Sequence, residues 1–278
     1  MRPKGLIRLL LTGCLLLLLS GCTFGATVDA LLTPPHLRGE QEQIYQALEN
    51  AVGNRITLQY PRSGDHLSAV MISDLDGDGQ DEAAVFYRKE SSLSTENALR
   101  LNLLDQADGT WMSVCDLPAE GAEVDRGFTA DIGGRQRLII GYSQVDQSDK
   151  ALVVYNYEGG TLAKSFTVSY SSFDVADLDG DDQSELLILK AAEGEHAAEA
   201  AVYVPDEQDH YTRYSLTLQG KTTEYSQVLC GNTQGKQTAI YLDGIVGATT
   251  MQTEVLQFDG KKLSYLVSTG SDAVSTIR

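Results

Sequence analysis

The sequence predicts an all-β domain of the β-propeller kind, built from four-stranded units and preceded by one short helix. Three observations carry this. From Arg55 onward, short β-rich runs alternate with Gly, Asp and Asn turns. A loop followed by an apolar run recurs with starts at 74, 129, 177 and 230, giving intervals of 55, 48 and 53. The second half of each unit reads strand, turn, strand, so that about 50 residues hold four strands, as a propeller blade requires.

At the N-terminus, Arg2, Lys4 and Arg8 precede the apolar run Leu9 to Leu19. That run is roughly half the 20 residues a membrane-spanning helix needs, and small residues follow it, which is the pattern of a cleaved export signal. Leu19-Ser20-Gly21-Cys22 resembles the bacterial lipobox. The expectation is therefore that residues 1–21 are removed and that Cys22 carries lipid. The mature chain is then anchored at the outer face of the cytoplasmic membrane, or in the periplasm or outer membrane of a Gram-negative source. Residues 22–38, with Pro34-Pro35, read as a linker. Residues 39–53 read as an amphipathic helix with Ile44, Leu48 and Val52 on one stripe and Gly53 as its stop.

Residues 55–278 form the repeat domain, with units starting near 68, 126, 173 and 227. Asp74 to Glu82 is followed by Ala83 to Tyr87, and Asp177 to Glu185 by Leu186 to Leu189. Between them, Thr129 to Arg137 is a decayed copy, and a fourth starts at Cys230, with Asn232, Gln234, Gly235 and Thr238 in register. The later turns fall at Asp108-Gly109, Glu158-Gly159-Gly160, Asp206 to Asp209 and Asp259-Gly260. A pair of β-sandwiches is the competing architecture, but it does not explain a loop at the same place in every unit. Extending the period puts a fifth loop just beyond Arg278. Either the ring closes at four units, with Arg55 to Tyr60 completing it, or a longer protein continues the series.

The two intact loops place Asp at positions one, three and five, a turn residue at six and an acid at nine. Alternate side chains of such a loop converge on one centre, the carbonyl at seven adds an oxygen, and an all-oxygen set selects calcium. The expected ligands are Asp74, Asp76, Asp78, Gln80 through its carbonyl and Glu82, then Asp177, Asp179, Asp181, Gln183 through its carbonyl and Glu185. An EF-hand is excluded by counting, because its twelfth position falls on Val85 and Ile188 inside apolar runs. An acidic β-turn without metal is the plainer alternative, and the second intact loop carries Asp182 where the first has Gly79. These loops resemble those of VCBS and FG-GAP repeat proteins, and with the lipobox the chain is similar to VCBS-type lipoproteins of Gram-positive bacteria. The resemblance implies calcium-bearing propeller blades. It spans roughly Leu67 to Val267, but Thr129, Gly133 and Arg137, and Cys230, Gln234 and Thr238, depart from it, so it implies no metal there.

The formal charge of −18 becomes −21 once the three cations of the signal are gone. An acidic surface repels nucleic acid and anionic lipid heads and favours cations as small partners. Cys14 lies in the signal, leaving Cys115 and Cys230 as two separate, largely buried thiols in different units. Gly-x-Ser-x-Gly is absent, and His36, His66, His196 and His210 are scattered. Two functions remain. One is a calcium-stabilised binding or scaffolding module for extracellular protein or glycan; the other is a glycosidase-like hydrolase using carboxylates on the propeller axis.

Overall fold

The computed structural model describes residues 39–89, 99–144, 150–232 and 238–266. The signal segment, Cys22 and the 22–38 linker lie outside them, as do residues 233–237 of the fourth expected loop. The described chain is all-β apart from one helix, α1 (Glu40–Val52). Ile44 and Leu48, one helical turn apart, are its fully buried residues, and Gly53 ends it in a left-handed conformation with its amide bonded to Glu49 O at 2.8 Å.

Four antiparallel sheets follow in chain order. The first contains β1 (Ile56–Leu58), β2 (Val70–Ser73), β3 (Glu82–Lys89), β4 (Leu99–Ala107) and β5 (Thr110–Pro118). The second contains β6 (Glu123–Asp131), β7 (Gln136–Ser143), β8 (Lys150–Glu158) and β9 (Thr161–Tyr170). The third contains β10 (Ser172–Ala176), β11 (Glu185–Lys190), β12 (Glu199–Pro205) and β13 (Tyr211–Thr217). The fourth contains β14 (Thr222–Asn232), β15 (Thr238–Val246), β16 (Thr250–Phe258) and β17 (Leu263–Tyr265). Each contains a meander of four strands paired to their chain neighbours, as the repeat predicts, and the first adds β1 as a fifth strand.

Arg55 to Tyr60, one of the two alternatives for ending the series, adds its strand to the first sheet. Within it, β1 pairs with β3, Ile56 opposite Lys89 and Leu58 opposite Tyr87, and lies end to end with β2, which takes Glu82 to Val85. The reason is backbone satisfaction: β3 is longer than β2, and the uncovered part of its edge needs a second partner.

The sheets pack in sequence. Phe86, Leu101 and Leu103 of the first meet Leu138, Ile140 and Tyr155 of the second. Ile139, Leu152 and Val154 on the second sheet's other face meet Phe173, Leu186 and Ile188 of the third, and Leu187, Leu189 and Val202 of the third meet Ile240, Leu242 and Leu256 of the fourth. Helix α1 covers the first sheet's remaining face, setting Ile44 and Leu48 against Val85, Tyr87 and Trp111. Strands β3, β7 and β11 are thus buried on both faces, which is why they read as unbroken apolar runs instead of alternating ones. First strands lie beside first strands, β2 by β6 and β10 by β14, and last strands beside last strands, β5 by β9 and β13 by β17. This arrangement carries the loops after β2, β6 and β10 to comparable places against the next sheet. Cys115 and Cys230 are separate free thiols in different sheets, each half-buried against its own core cluster.

Candidate metal centres

The loop from β2 to β3 and the loop from β10 to β11 have the same internal bonding. Asp74 Oδ1 accepts from Gly77 N at 2.7 Å and Asp177 Oδ1 from Gly180 N at 2.7 Å. Asp76 and Asp179 each accept from the amide two residues on at 3.2 Å. Asp74 Oδ2 takes Gly79 N at 3.0 Å, and Asp177 Oδ2 takes Asp182 N at 3.1 Å. Asp182 adopts the left-handed conformation that Gly79 adopts, φ 69° against 87°, so the substitution at position six keeps the turn. Gln80 N and Gln183 N bond Asp78 Oδ1 and Asp181 Oδ1 at 2.7 and 2.9 Å.

The closing acids behave alike too. Glu82 Oε2 accepts from Leu75 N at 2.7 Å and Glu185 Oε2 from Leu178 N at 2.8 Å. Leu75 and Leu178 are buried and pin the second residue of each loop into the core. Carboxylate oxygens of Asp74, Asp76 and Asp78 lie within 4.8 Å of one another, and so do those of Asp177, Asp179 and Glu185. Glu82 is 1 % exposed, yet its Oε1 has no hydrogen-bond partner. A buried carboxylate oxygen without a donor is costly unless a cation meets it. The donor set is oxygen only and fits a hard cation such as calcium. No histidine joins either group among the described residues; His66, His196 and His210 are exposed.

Electrostatics reinforce the fit. Burial pushes Glu82 and Glu185 up to about 7, with the neighbouring loop aspartates adding to the rise and the Leu75 and Leu178 amides opposing it. Asp76 and Asp179 are also raised, by burial first. One contributor was not visible in the sequence: Asp105, at the end of β4, adds its negative charge to Asp76 and Glu82 and accepts from Tyr157 Oη at 2.7 Å. Asp105 stands beside Glu82 only because Ala83 pairs with Leu104, so strand register was the missing information.

The decayed loops need correcting. Thr129 and Cys230, read as first positions, lie within β6 and β14, where they pair with Leu138 and Ile240. In the second unit Ala130 pairs with Arg137 as Ser73 pairs with Glu82, so Asp131 takes the place of Asp74, and residues 131–136 stand where the first unit has 74–81. Asp131 keeps the turn bond, accepting from Gly134 N at 2.9 Å, and Ile132 is buried as Leu75 is. The closing acid is replaced by Arg137, fully buried, which donates to Ile132 O, Asn156 Oδ1 and Asp209 Oδ1 at 2.9, 2.5 and 2.6 Å. The strands pair one step further, Asp131 opposite Gln136. In the fourth unit Thr238 holds this position opposite Asn232 and donates to Asp177 O at 3.0 Å.

Each of the first three loops faces the outer hairpin turn of the following sheet. A Cβ on Gly133 would stand 2.8 Å from Pro205, and one on Gly260 would stand 2.7 Å from Asp179 Oδ2. Between Asp76 and the turn near Glu158 the fit is looser, leaving a cavity of about 330 Å³ that Arg135 and Asn156 also line. The third sheet's loop is thus closed over by its neighbour, and the first sheet's loop opens onto a cleft.

No family model and no curated protein matches the chain. Among solved structures it is similar to the exotype rhamnogalacturonan lyase YesX at 15% identity and TM-score 0.38, covering 76% of this chain and 48% of that one. A Bacillus licheniformis rhamnogalacturonan lyase gives 14% and 0.36 over 80% and 57%. A putative exo-β-1,3-galactanase from Bifidobacterium bifidum s17 gives 14% and 0.34 over 76% and 75%. The chain spans about half the length of the lyase YesX. Likeness this low says nothing of substrate or activity.

Proposed function

We propose that this chain is a lipid-anchored surface protein of the VCBS and FG-GAP repeat kind, whose four sheets are propeller blades tied by calcium and which presents its loops to an extracellular protein or glycan. The observation that carries the calcium reading is Glu82 Oε1, buried without a donor and within reach of the charges of Asp74 and Asp76. When bound, a divalent cation supplies the positive charge that those carboxylates lack. The chain's own residues do the rest. Asp74 and Asp177 bind the turn amides, Leu75 and Leu178 anchor the loop to the core, and Glu82 and Glu185 hold the loop's start to the next strand.

Stability is the role that suits these sites. No histidine joins either loop's carboxylate group among the described residues, and extracellular modules with such ligands work at roughly 10⁻⁴ to 10⁻³ M calcium, which the surroundings supply continuously. The sequential stacking of sheets, first strand beside first strand, supports the propeller reading. The test is thermal unfolding in calcium and in chelator. Wild type melts higher in calcium, and the increment shrinks in Asp76→Ala and again in Asp179→Ala. Identical melting in all conditions leaves both loops as bare acidic turns.

A further inference from the structure

A second site lies away from the metal loops, where β6, β10 and β14 come together under the β1 to β2 connection. Asp65, Arg126, Asp174, Tyr225 and Gln227 line a cleft of about 340 Å³ there. Arg126 is held rigidly. Its guanidinium carbon is 4.9 Å from the Phe128 ring centre and 5.1 Å from that of Phe173, and Nη1 donates to Phe173 O at 3.2 Å. Its stem is packed so closely beneath Gly64 that a Cβ there would lie 2.7 Å from Arg126 Cγ.

Asp174 stands beside it, Oδ1 at 4.0 Å from Arg126 Nη2. Oδ1 also accepts from Val175 N at 3.0 Å, whereas Oδ2 faces the thiol of Cys230, 4.0 Å away and a weak donor. The cleft therefore fixes a donor next to a partly exposed acceptor. Two carboxylates against one guanidinium leave no net attraction for an anion. A sugar hydroxyl both donates and accepts, so two adjacent hydroxyls satisfy Asp174 and Arg126 together, with Tyr225 and Gln227 on the wall beside them. The volume lies at the lower end of what small-ligand sites occupy.

We propose that this cleft is a saccharide subsite that takes a neutral, hydroxyl-rich sugar unit through Arg126, Asp174 and Gln227. It sharpens the binding role proposed above by choosing glycan over protein, and it does not depend on the metal loops. The probe is a panel of neutral di- to tetrasaccharides of glucose, galactose, mannose and xylose, added to the full chain in calcium and followed by amide chemical shifts. At least one shifts residues 172–174 and 225–228. Asp174→Asn and Gln227→Ala each weaken that sugar at least tenfold, while their melting temperatures and calcium response stay at the wild-type values. Three results overturn the proposal: no sugar in the panel binds, Asp174→Asn binds as tightly as wild type, or amine probes such as spermidine bind and sugars do not. A calcium-dependent melting shift without sugar binding removes this inference and leaves the scaffold reading in place.

Discussion

Arg137 in the second sheet donates from Nη2 to Asp209 Oδ1 in the third sheet's turn at 2.6 Å, with the guanidinium side chain 1 % exposed. It occupies the place that Glu82 and Glu185 hold in the two acidic loops. A covalently attached cation thus stands where the neighbouring units assemble an anionic cage, and it joins two sheets without an ion.

Arg137→Met therefore leaves Asp209 and Ile132 O without their buried donor. Breaking a buried pair from one side costs about 3–5 kcal/mol. Chemical denaturation is expected to show that loss equally in calcium and in chelator. A loss seen only in calcium would mean that the second loop takes part in ion binding after all.

The contrast between these loops marks what the sequence could and could not disclose. Asp74 to Glu82 and Asp177 to Glu185 were legible because a contiguous loop carries its ligands at fixed spacing. The strands after them were legible because burial on both faces leaves an apolar run. Asp131 was misplaced by two residues because alignment by motif assumed an eight-residue loop, whereas pairing is set by Ala130 meeting Arg137. Asp105, Asp209 and Gly260 reach the loops from other strands and turns, and no local pattern announces a contact set by sheet packing.

The pH response of calcium-free protein follows from Glu82 and Glu185. Burial holds both at about 7 in the fold, above the ordinary 4.5. Their stabilising contribution is fully present below pH 4.5, where both states are protonated, and is lost as pH rises through 7 because the unfolded chain ionises more readily. In chelator the melting temperature should fall between pH 4.5 and 7. Calcium should offset the fall, and Glu82→Gln in chelator should flatten part of it. A melting temperature in chelator that rises across that range contradicts the burial of these acids.

Anchoring rests on Leu19-Ser20-Gly21-Cys22 behind a basic segment. The mature chain is expected to begin at Cys22 with acyl groups on it, as mass spectrometry of the membrane fraction would record. Cys22→Ala should leave the protein unacylated and remove it from that fraction. Retention of Cys22→Ala in the membrane would contradict the lipid anchor.

Gly260 offers a way to disturb one metal loop from the neighbouring sheet. It sits at φ 79°, and a Cβ there would come within 2.7 Å of Asp179 Oδ2, so Gly260→Ala must shift either the turn or the carboxylate. The left-handed backbone alone costs an L-residue about 1–2 kcal/mol. Gly109 separates that penalty from the contact, since it sits at φ 72° in the first sheet's equivalent turn with nothing within 4 Å of its Cβ position. Both alanine variants should lose similar backbone stability in chelator. In an Asp76→Ala background, where only the third sheet's loop is left to titrate, Gly260→Ala should weaken calcium binding severalfold by calorimetry, and Gly109→Ala should not. Equal calcium affinity in the two variants would show that the turn of the fourth sheet merely lies over the loop and does not position Asp179.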